Sequence, residues 1–201
     1  MPKAIVLLSG GVDSAVALWL TKITHEVYAL SFRYGDKNRN EMRAAVRLAE
    51  EAKVKEHIIL EMGFLKDISE FKTEREVKEI GVPICYVPAR NTIFFGIAAH
   101  FAERWGAEKI VTGHNRDDEF PDARRRYFDA INKALALGSM QGMKVEVNVP
   151  FLDMCKTQIV KMAIKLKVPL QTTWSCYEDG EAPCGICNGC LGLEKALKQA
   201  R

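Results

Sequence analysis

The residues with the clearest chemical potential form a short loop, Ser9–Ser14, with the sequence Ser-Gly-Gly-Val-Asp-Ser. An apolar run of strand length precedes the loop, and residues with helical spacing follow it. A strand that turns into a helix directs free backbone N–H groups and the positive end of the helix dipole at one spot. Gly10 and Gly11 let the backbone approach a ligand closely. The loop therefore predicts an anion site; the alternative is an ordinary glycine-rich turn. It is not a Walker A loop, because no Gly-Lys-Ser/Thr follows.

Four cysteines form the second chemical cluster, at Cys176, Cys184, Cys187 and Cys190. Glycine and proline residues between them allow the tight turns that would bring the four thiols together. Four thiolates suit a closed tetrahedral site for a structural zinc ion. An iron–sulfur cluster uses the same ligands and is the main alternative. Two disulfides or four unrelated thiols are further alternatives, which a reducing compartment disfavours.

Three polar residues, Arg90, Asn91 and Thr92, stand just before a predicted apolar helix. Asn91 or Thr92 could cap that helix while Arg90 stays a solvated surface cation. Alternatively, the Arg90 guanidinium could bind a phosphate or a carboxylate through two hydrogen bonds. The residue types alone leave both interpretations open.

Polar residues further along the chain also allow two interpretations. The segment 113–119 is either a solvated turn or a rim that carries a magnesium ligand. Asp122 beside the arginines 124–126 is typical of a solvated helix face. Lys156 lies in the first turn of a helix that we expect Asp153 to cap. A cation there opposes the helix dipole, so an anionic partner such as a nucleotide phosphate would explain it.

Strands and helices alternate along most of the chain. Strands are predicted over 4–8, 26–32, 57–60, 109–113 and 145–149, and helices over 15–20, 42–49, 93–105, 122–137 and 159–166. This alternation favours an α/β fold with a parallel sheet and helices on both faces. Ligands of such sheets bind beyond the carboxyl ends of the strands, so we expect the loops 9–14, 33–36 and 113–118 to converge. Residues 61–85 are charged and irregular, and we expect them to form an excursion from the core.

Size and composition indicate an ordinary globular protein. The 201 residues suit one domain with a modest appendage, and 48% apolar and 27% charged residues are typical values. A net charge of +3 favours anionic small molecules or weak RNA contact. No apolar run approaches the ~20 residues of a membrane span. The start, Met1-Pro2-Lys3, leads straight into a strand, so we expect no signal peptide and a cytoplasmic location.

The Ser9–Ser14 loop resembles the pyrophosphate loop of the N-type ATP pyrophosphatases, which adenylate a carbonyl or carboxyl oxygen and release pyrophosphate. Further motifs follow in chain order: Tyr34-Gly35 with Glu41, the string 86–94, Pro121-Asp122 with Arg124, Lys156 and the four cysteines. With these motifs and the Ser9–Ser14 loop, the chain resembles the 7-cyano-7-deazaguanine synthase family over nearly its whole length.

The resemblance implies a Rossmann-like, five-stranded parallel sheet of the adenine nucleotide alpha hydrolase type, followed by a small zinc motif. Residues 1–170 would form the nucleotide-binding α/β domain, and residues 171–201 the zinc-binding motif with a final helix. It also implies that ATP binds the segment Leu8, Ser9, Gly10, Gly11, Val12, Asp13, Ser14, Ala15, Val16, Ala17 and Leu18. The cysteines matching Cys176, Cys184, Cys187 and Cys190 hold zinc in the family.

The activity that the resemblance implies is ATP-dependent ligation of 7-carboxy-7-deazaguanine and ammonia to the nitrile, on the route to queuosine-type or archaeosine-type tRNA bases. We expect Ser9, Asp13, Ser14 and Lys156 to act around the leaving pyrophosphate, with Mg²⁺ assisting. Arg90, Asn91, Asp122 and Arg124 are expected to orient the deazaguanine and its carboxylate. We further expect small-molecule substrates, no nucleic acid, no membrane and a possible homodimer.

The chain departs from the family pattern at Asp36, Asn38, Ala123 and Arg125, where members usually carry Gln, His, Cys and Pro. The segment 113–118 is instead similar to that of related enzymes that thiolate or lysinylate tRNA. One alternative function is therefore a tRNA-modifying adenylase, which would bind RNA in a salt-sensitive way. Another is a non-catalytic module that senses ATP without releasing pyrophosphate.

Overall fold

Five parallel strands form one sheet with the order β3-β2-β1-β4-β5 in the computed structural model, which describes residues 1–34, 39–65, 87–140 and 144–200. The strands are β1 (Lys3–Leu7), β2 (Glu26–Arg33), β3 (Glu56–Glu61), β4 (Lys109–Val111) and β5 (Glu146–Asn148). The strand order reverses between β1 and β4, which are parallel neighbours, so their carboxyl ends lie at the same edge of the sheet. The predicted α/β class and the five-stranded parallel sheet are confirmed. The predicted excursion over 61–85 lies mostly outside the described residues, as do Gly35, Asp36, Asn38 and Tyr86.

Six α-helices connect and cover the strands in the part of the chain that is described. They are α1 (Val12–Thr21), α2 (Arg39–Ala52), α3 (Arg90–Trp105), α4 (Arg125–Gly138), α5 (Lys156–Lys165) and α6 (Asn188–Ala200). A short 3₁₀ turn at Pro121–Ala123 precedes α4, and another at Leu170–Thr172 precedes residues 174–190, which contain the four cysteines and are called the cysteine segment below. None of the described helices combines the length and the hydropathy that a bilayer crossing requires.

Successive side chains of β1 point to opposite faces of the sheet, and each face supports its own apolar core. Ala4 and Val6 pack in a cluster with residues of α1, α2, α5 and α6. Ile5 packs in a second cluster with Phe95 of α3 and Phe128 of α4. Because both faces of β1 are buried from Ala4 to Val6, the strand is apolar after Lys3, as parallel strands between two helix layers usually are.

Two local predictions differ from the structure. Residues 122–137 do not form one continuous helix, because a 3₁₀ turn at Pro121–Ala123 ends before α4 begins at Arg125. Asp153 does not cap α5, whose N-cap residue is Cys155. Its carboxylate pairs instead with Arg125 at 2.6 Å, on the surface. The first backbone N–H of α5, on Lys156, donates to the Asp117 carboxylate at 2.9 Å.

Candidate active site

A cavity of about 220 Å³ opens at the carboxyl ends of β1 and β4, where the strand order reverses. The Ser9–Ser14 loop forms one wall through Ser9, Asp13 and Ser14. Residues of the segment 112–118 form another wall, and Tyr34, just after β2, also lines the cavity. The predicted convergence of the loops after β1 and β4 is therefore confirmed. Asp36, at the far end of the predicted third loop, lies outside the described residues.

The Ser9–Ser14 loop holds its shape through its own hydroxyl groups. Ser14 Oγ donates to the carbonyl of Gly11 at 2.9 Å and accepts from the backbone N–H of Ser9 at 3.2 Å. The two serine oxygens are 3.1 Å apart. Gly10 has φ +90°, and a Cβ there would collide with the carbonyl oxygen of Glu41 in α2. The loop therefore fits tightly between β1 and α2, and α1 starts at Val12 with its free N–H groups at the cavity edge.

Asp13 of this loop forms an ion pair with Lys156 of α5. Lys156 Nζ lies 2.7 Å from Asp13 Oδ2, and both side chains are about one-quarter exposed. Burial raises the pKa of Asp13, although the charge of Lys156 opposes that rise. Within residues 1–34, 39–65, 87–140 and 144–200, the second carboxylate oxygen, Oδ1, is buried without a hydrogen-bond partner. The anionic partner that the position of Lys156 predicted is thus Asp13 in this structure.

The segment after β4 adds a further acidic group, Asp118, near Asp13. Asp118 Oδ2 accepts the backbone N–H of Asn115 at 3.0 Å, and Asn115 Nδ2 lies 3.4 Å from Asp13 Oδ2. Burial raises the pKa of Asp118 as well. Asp118 lines the cavity, whereas Asp117 caps α5. Asp118 thus lies at the cavity rim and Asp117 at the start of α5, and the magnesium ligand stays a prediction.

Arg90 lines the same cavity and lies close to two aromatic rings. Its Nη1 donates to the Tyr34 hydroxyl at 3.0 Å, and its guanidinium carbon lies 5.8 Å from the ring centroids of both Tyr34 and Phe120. Phe94 stacks on Phe32 with ring centroids 3.9 Å apart. The group offers a cation and flat apolar faces, which suit a planar ring that carries an acidic substituent.

Asn91 and Asp122 meet at the start of α3. Asp122 Oδ2 accepts the backbone N–H of Asn91 at 3.2 Å, and the Asp122 carbonyl accepts Asn91 Nδ2 at 3.0 Å. Asn91 lines the cavity, whereas Asp122 is buried behind it and is not among the described lining residues. Arg124 is exposed at the N-cap of α4, away from the described cavity wall.

Glu41 of α2 also lines the cavity. Burial, with a smaller contribution from the negative charge of Asp179, raises the pKa of Glu41 to about 7, and Arg90 opposes the rise. His114 faces the same space, and burial lowers its pKa to about 4. Sequence reasoning gave neither residue a chemical role. The sequence signal for His114 was its place directly after a strand that ends in the cavity.

The sulfur atoms of Cys176, Cys184, Cys187 and Cys190 all lie within 4.8 Å of one another. Two of the separations, Cys184–Cys190 and Cys176–Cys187, are 4.0 Å. Zinc–sulfur bonds of about 2.3 Å would place tetrahedral sulfurs about 3.8 Å apart. Backbone N–H groups of Glu178 and Cys184 also point at the Cys176 sulfur, at 3.4 and 3.3 Å. The four residues therefore fit a tetrahedral metal ion.

The cysteine segment also contacts the cavity loops directly. The backbone N–H of Trp174 donates to the carbonyl of Gly10 at 2.9 Å. The Asp179 carboxylate accepts the backbone N–H groups of Arg39 and Asn40, each at 2.8 Å, at the start of α2. The cysteine segment thus supports both the Ser9–Ser14 loop and α2, the helix that contacts this loop.

Together, the parallel sheet, the glycine-rich anion loop and the cavity at the reversal of strand order define a nucleotide-binding α/β protein of the pyrophosphate-loop type. The family model described as "Queuosine biosynthesis protein QueC" matches residues 3–201. The chain belongs to this family.

Individual relatives agree with this assignment. The 7-cyano-7-deazaguanine synthase of Thermoplasma acidophilum is 40% identical over 211 residues, with 98% of this chain and 88% of the relative covered. The enzyme of the same name from Sulfurovum sp. is 37% identical over 199 residues, with 94% and 90% covered. The structure of NMN synthetase from Francisella tularensis superimposes with a TM-score of 0.55 at 16% identity, covering 100% of this chain and 87% of that one. That last likeness shows a shared fold.

Proposed function

We propose that the chain is an ATP-dependent carbon–nitrogen ligase that converts 7-carboxy-7-deazaguanine and ammonia to 7-cyano-7-deazaguanine, for queuosine-type or archaeosine-type base synthesis. Membership of the family and the names of its relatives support this activity. The structural observation that carries it is one cavity lined by both the Ser9–Ser14 loop and Arg90 with its aromatic neighbours. Such a cavity can place the phosphates of ATP beside the carboxylate of a planar heterocycle.

The first step is attack of the substrate carboxylate on the α-phosphorus of ATP, which forms an acyl-adenylate and breaks the bond to pyrophosphate. The Ser9–Ser14 loop binds the leaving pyrophosphate through backbone N–H groups and the hydroxyls of Ser9 and Ser14. Lys156, held by Asp13 at 2.7 Å, balances the charge that develops on the leaving group. Arg90 attracts and orients the carboxylate.

Ammonia then attacks the acyl carbon, AMP leaves and the product is the amide. In a second round, the amide oxygen attacks the α-phosphorus of another ATP and releases pyrophosphate again. Loss of AMP and of the remaining N–H protons gives the nitrile. The same loop serves both rounds, because each one breaks the same bond in ATP.

Two metal ions belong to this proposal. Mg²⁺ would be held by carboxylate oxygens of Asp13 and Asp118, a donor set that suits a hard cation, and the unpartnered Asp13 Oδ1 supports this site. When bound, it would supply positive charge to the phosphates. Zn²⁺ would be held by Cys176, Cys184, Cys187 and Cys190. Its role would be structural, because four protein ligands leave no position for a substrate.

The protein is further proposed to act on small molecules in the cytoplasm, without nucleic acid, alone or as a homodimer. Residues 1–170 would form the nucleotide-binding domain, and residues 171–201 the metal-binding segment. The modest net charge of +3 supports small anionic substrates over a long RNA backbone.

The test is pyrophosphate release from Mg·ATP with ammonium, in the presence of either 7-carboxy-7-deazaguanine or unmodified tRNA. We expect release only with the deazaguanine acid, and a product with the mass of the nitrile. Pyrophosphate release that requires tRNA would identify a tRNA-modifying enzyme instead. ATP binding without release in either reaction would identify a sensing module and contradict the proposal.

The same assay tests the residues around the loop. Lys156→Met is expected to lower the rate of pyrophosphate release by about 100-fold, because a preorganised cation at the leaving group is lost. Lys161→Met, an exposed position on the same helix, is the matched control and should leave the rate unchanged. A near-normal rate in the Lys156 variant would remove that residue from the mechanism.

A further inference from the structure

Four residues joined by polar contacts lie in and behind the cavity wall: Thr112, His114, Asn91 and Asp122. Thr112 Oγ1 is 2.8 Å from His114 Nδ1, and His114 Nε2 is 3.1 Å from Asn91 Nδ2. Asn91 Nδ2 is in turn 3.0 Å from the backbone carbonyl of Asp122. Thr112, Asn91 and Asp122 are each less than one-tenth exposed. The mechanism above uses neither Thr112 nor His114.

The chemistry of these contacts determines where the protons lie. The Asp122 carbonyl can only accept a hydrogen bond, so the Asn91 atom beside it is the NH₂ group and not the carboxamide oxygen. The second proton of that NH₂ group points at His114 Nε2, which must accept it and therefore carries no proton. The proton of a neutral imidazole then lies on Nδ1 and is donated to Thr112 Oγ1.

The surroundings of His114 favour this neutral form. Burial lowers the pKa of His114 to about 4, and the positive charge of Arg90 contributes in the same direction. Asp122 and Asp13 oppose the shift only in part. A second proton on the ring would place an N–H against the Asn91 NH₂ group and leave two donors facing each other.

We propose that His114 is a positioning residue that fixes the Asn91 carboxamide with its oxygen toward the cavity, where Oδ1 accepts an N–H of the deazaguanine ring. Both protons of the Asn91 NH₂ group are already used, and Oδ1 has no hydrogen-bond partner among the described residues. Oδ1 is therefore the atom of Asn91 that is left to meet a ligand. Arg90, the preceding residue, offers donors to the carboxylate of the same molecule. This inference rests on the proposed function.

Adenine also carries N–H donors, so the heterocycle that Asn91 contacts could belong to either substrate. The deazaguanine acid is favoured because Asn91 directly follows Arg90, which is flanked by the rings of Tyr34 and Phe120. The Michaelis constants of the two substrates, measured separately, distinguish these sources.

The first experiment measures the protons of His114 directly. Long-range ¹H–¹⁵N NMR of the full-length protein at pH 7 separates protonated from unprotonated ring nitrogens. The signal of His114 is assigned by its absence from His114→Gln, because the chain contains only four histidines. We expect a neutral ring with the proton on Nδ1. A proton on Nε2, in either the other tautomer or the imidazolium, would overturn the inference.

The second experiment compares two variants at the same position. His114→Leu removes the acceptor and should raise KM for 7-carboxy-7-deazaguanine about tenfold, with kcat and KM for ATP near their normal values. His114→Gln places an amide oxygen near the position of Nε2 and should restore KM for the acid to within about threefold. An increase confined to KM for ATP, an unchanged KM in the Leu variant or no rescue by Gln would each overturn the inference. If the wild-type protein forms no nitrile, the proposed function fails, whereas the NMR result still decides how Asn91 is held.

Discussion

Glu41 is an acidic residue of the cavity whose pKa, raised to about 7, lies near neutral pH. It lies on α2, where burial and the nearby Asp179 raise its pKa to about 7, against the opposing effect of Arg90. In the unfolded chain a glutamate titrates near 4.3. Between these two values the folded protein holds a proton that the unfolded chain has lost, so folding is coupled to proton uptake.

This coupling sets the sign of a pH effect on stability. From about pH 4.5 to pH 7, the contribution of Glu41 to the free energy of unfolding falls as the pH rises, because the buried carboxyl is progressively forced to ionise. The Glu41→Gln variant has no carboxyl to ionise at this position. Its free energy of unfolding should therefore rise relative to that of the wild type as the pH increases, and the difference between the two proteins should level off above pH 7. Urea unfolding at pH 5, 6, 7 and 8 measures the difference. Glu50→Gln, exposed on the same helix, is the control; parallel curves for the wild type and Glu41→Gln would show that Glu41 does not titrate in this range.

The functional residues that could be predicted from the sequence are those whose role depends on residues adjacent to them in the chain. The Ser9–Ser14 loop is of this kind, because a strand, two glycines and a helix start are all local signals. The pairing of Lys156 with Asp13 spans 143 positions, and the contact of His114 with Asn91 spans 23. Both contacts depend on the order of the strands in the sheet, and the residue types near each position do not reveal that order.

At the scale of secondary structure, the fit between β1 and α2 depends on one glycine. Gly10 has φ +90°, and any Cβ there would meet the backbone of α2 at Glu41. Its neighbour Gly11 has φ −76°, and a Cβ there would find only ordinary contacts, the nearest at 3.5 Å. Backbone atoms of a helix cannot move aside as a flexible side chain can.

The two glycines therefore make a matched pair of variants. Gly10→Ala should destabilise the protein by about 2–4 kcal/mol, because it combines a strained backbone with a collision against α2. Gly11→Ala should change the free energy of unfolding by less than about 1 kcal/mol. Urea unfolding of both variants in the absence of ATP is the measurement. Equal stability of the two variants would mean that α2 does not pack as closely on the loop as described.

The existence and order of the strands and helices followed from apolar periodicity, but several helix ends did not. The carboxylate of Asp117 caps α5 from 39 positions away, and Asp122 caps α3 from 31 positions away. A capping residue is expected just before its own helix, and Asp153 was therefore predicted to cap α5, where the N-cap residue is Cys155. Caps that come from another loop become visible only when the loops are placed together at the edge of the sheet.

At the scale of the whole molecule, the cysteine segment connects the end of the chain to its beginning. It contacts the anion loop through Trp174, and the start of α2 through the Asp179 carboxylate, which is 13% exposed. The helix that follows, α6, packs Leu193 and Leu197 on the core shared by α1 and α5. A metal ion at the four sulfurs would fix the loop that carries these contacts, so its effect should extend to the cavity.

Removal of one of the four sulfur ligands should therefore affect both stability and catalysis. Cys190→Ser removes one of the four sulfur ligands, whereas Cys155→Ser, a free cysteine outside the cluster, is the matched control. We expect the Cys190 variant to lose bound metal and about 3 kcal/mol of stability, which lowers Tm by roughly 6–12 °C for a chain of this size. Its pyrophosphate release should also fall, because Gly10 and the start of α2 lose their support. Metal content by elemental analysis, thermal unfolding and the release assay measure these effects. Unchanged pyrophosphate release in a variant that has lost its metal but stays folded would show that the cysteine segment stabilises only itself.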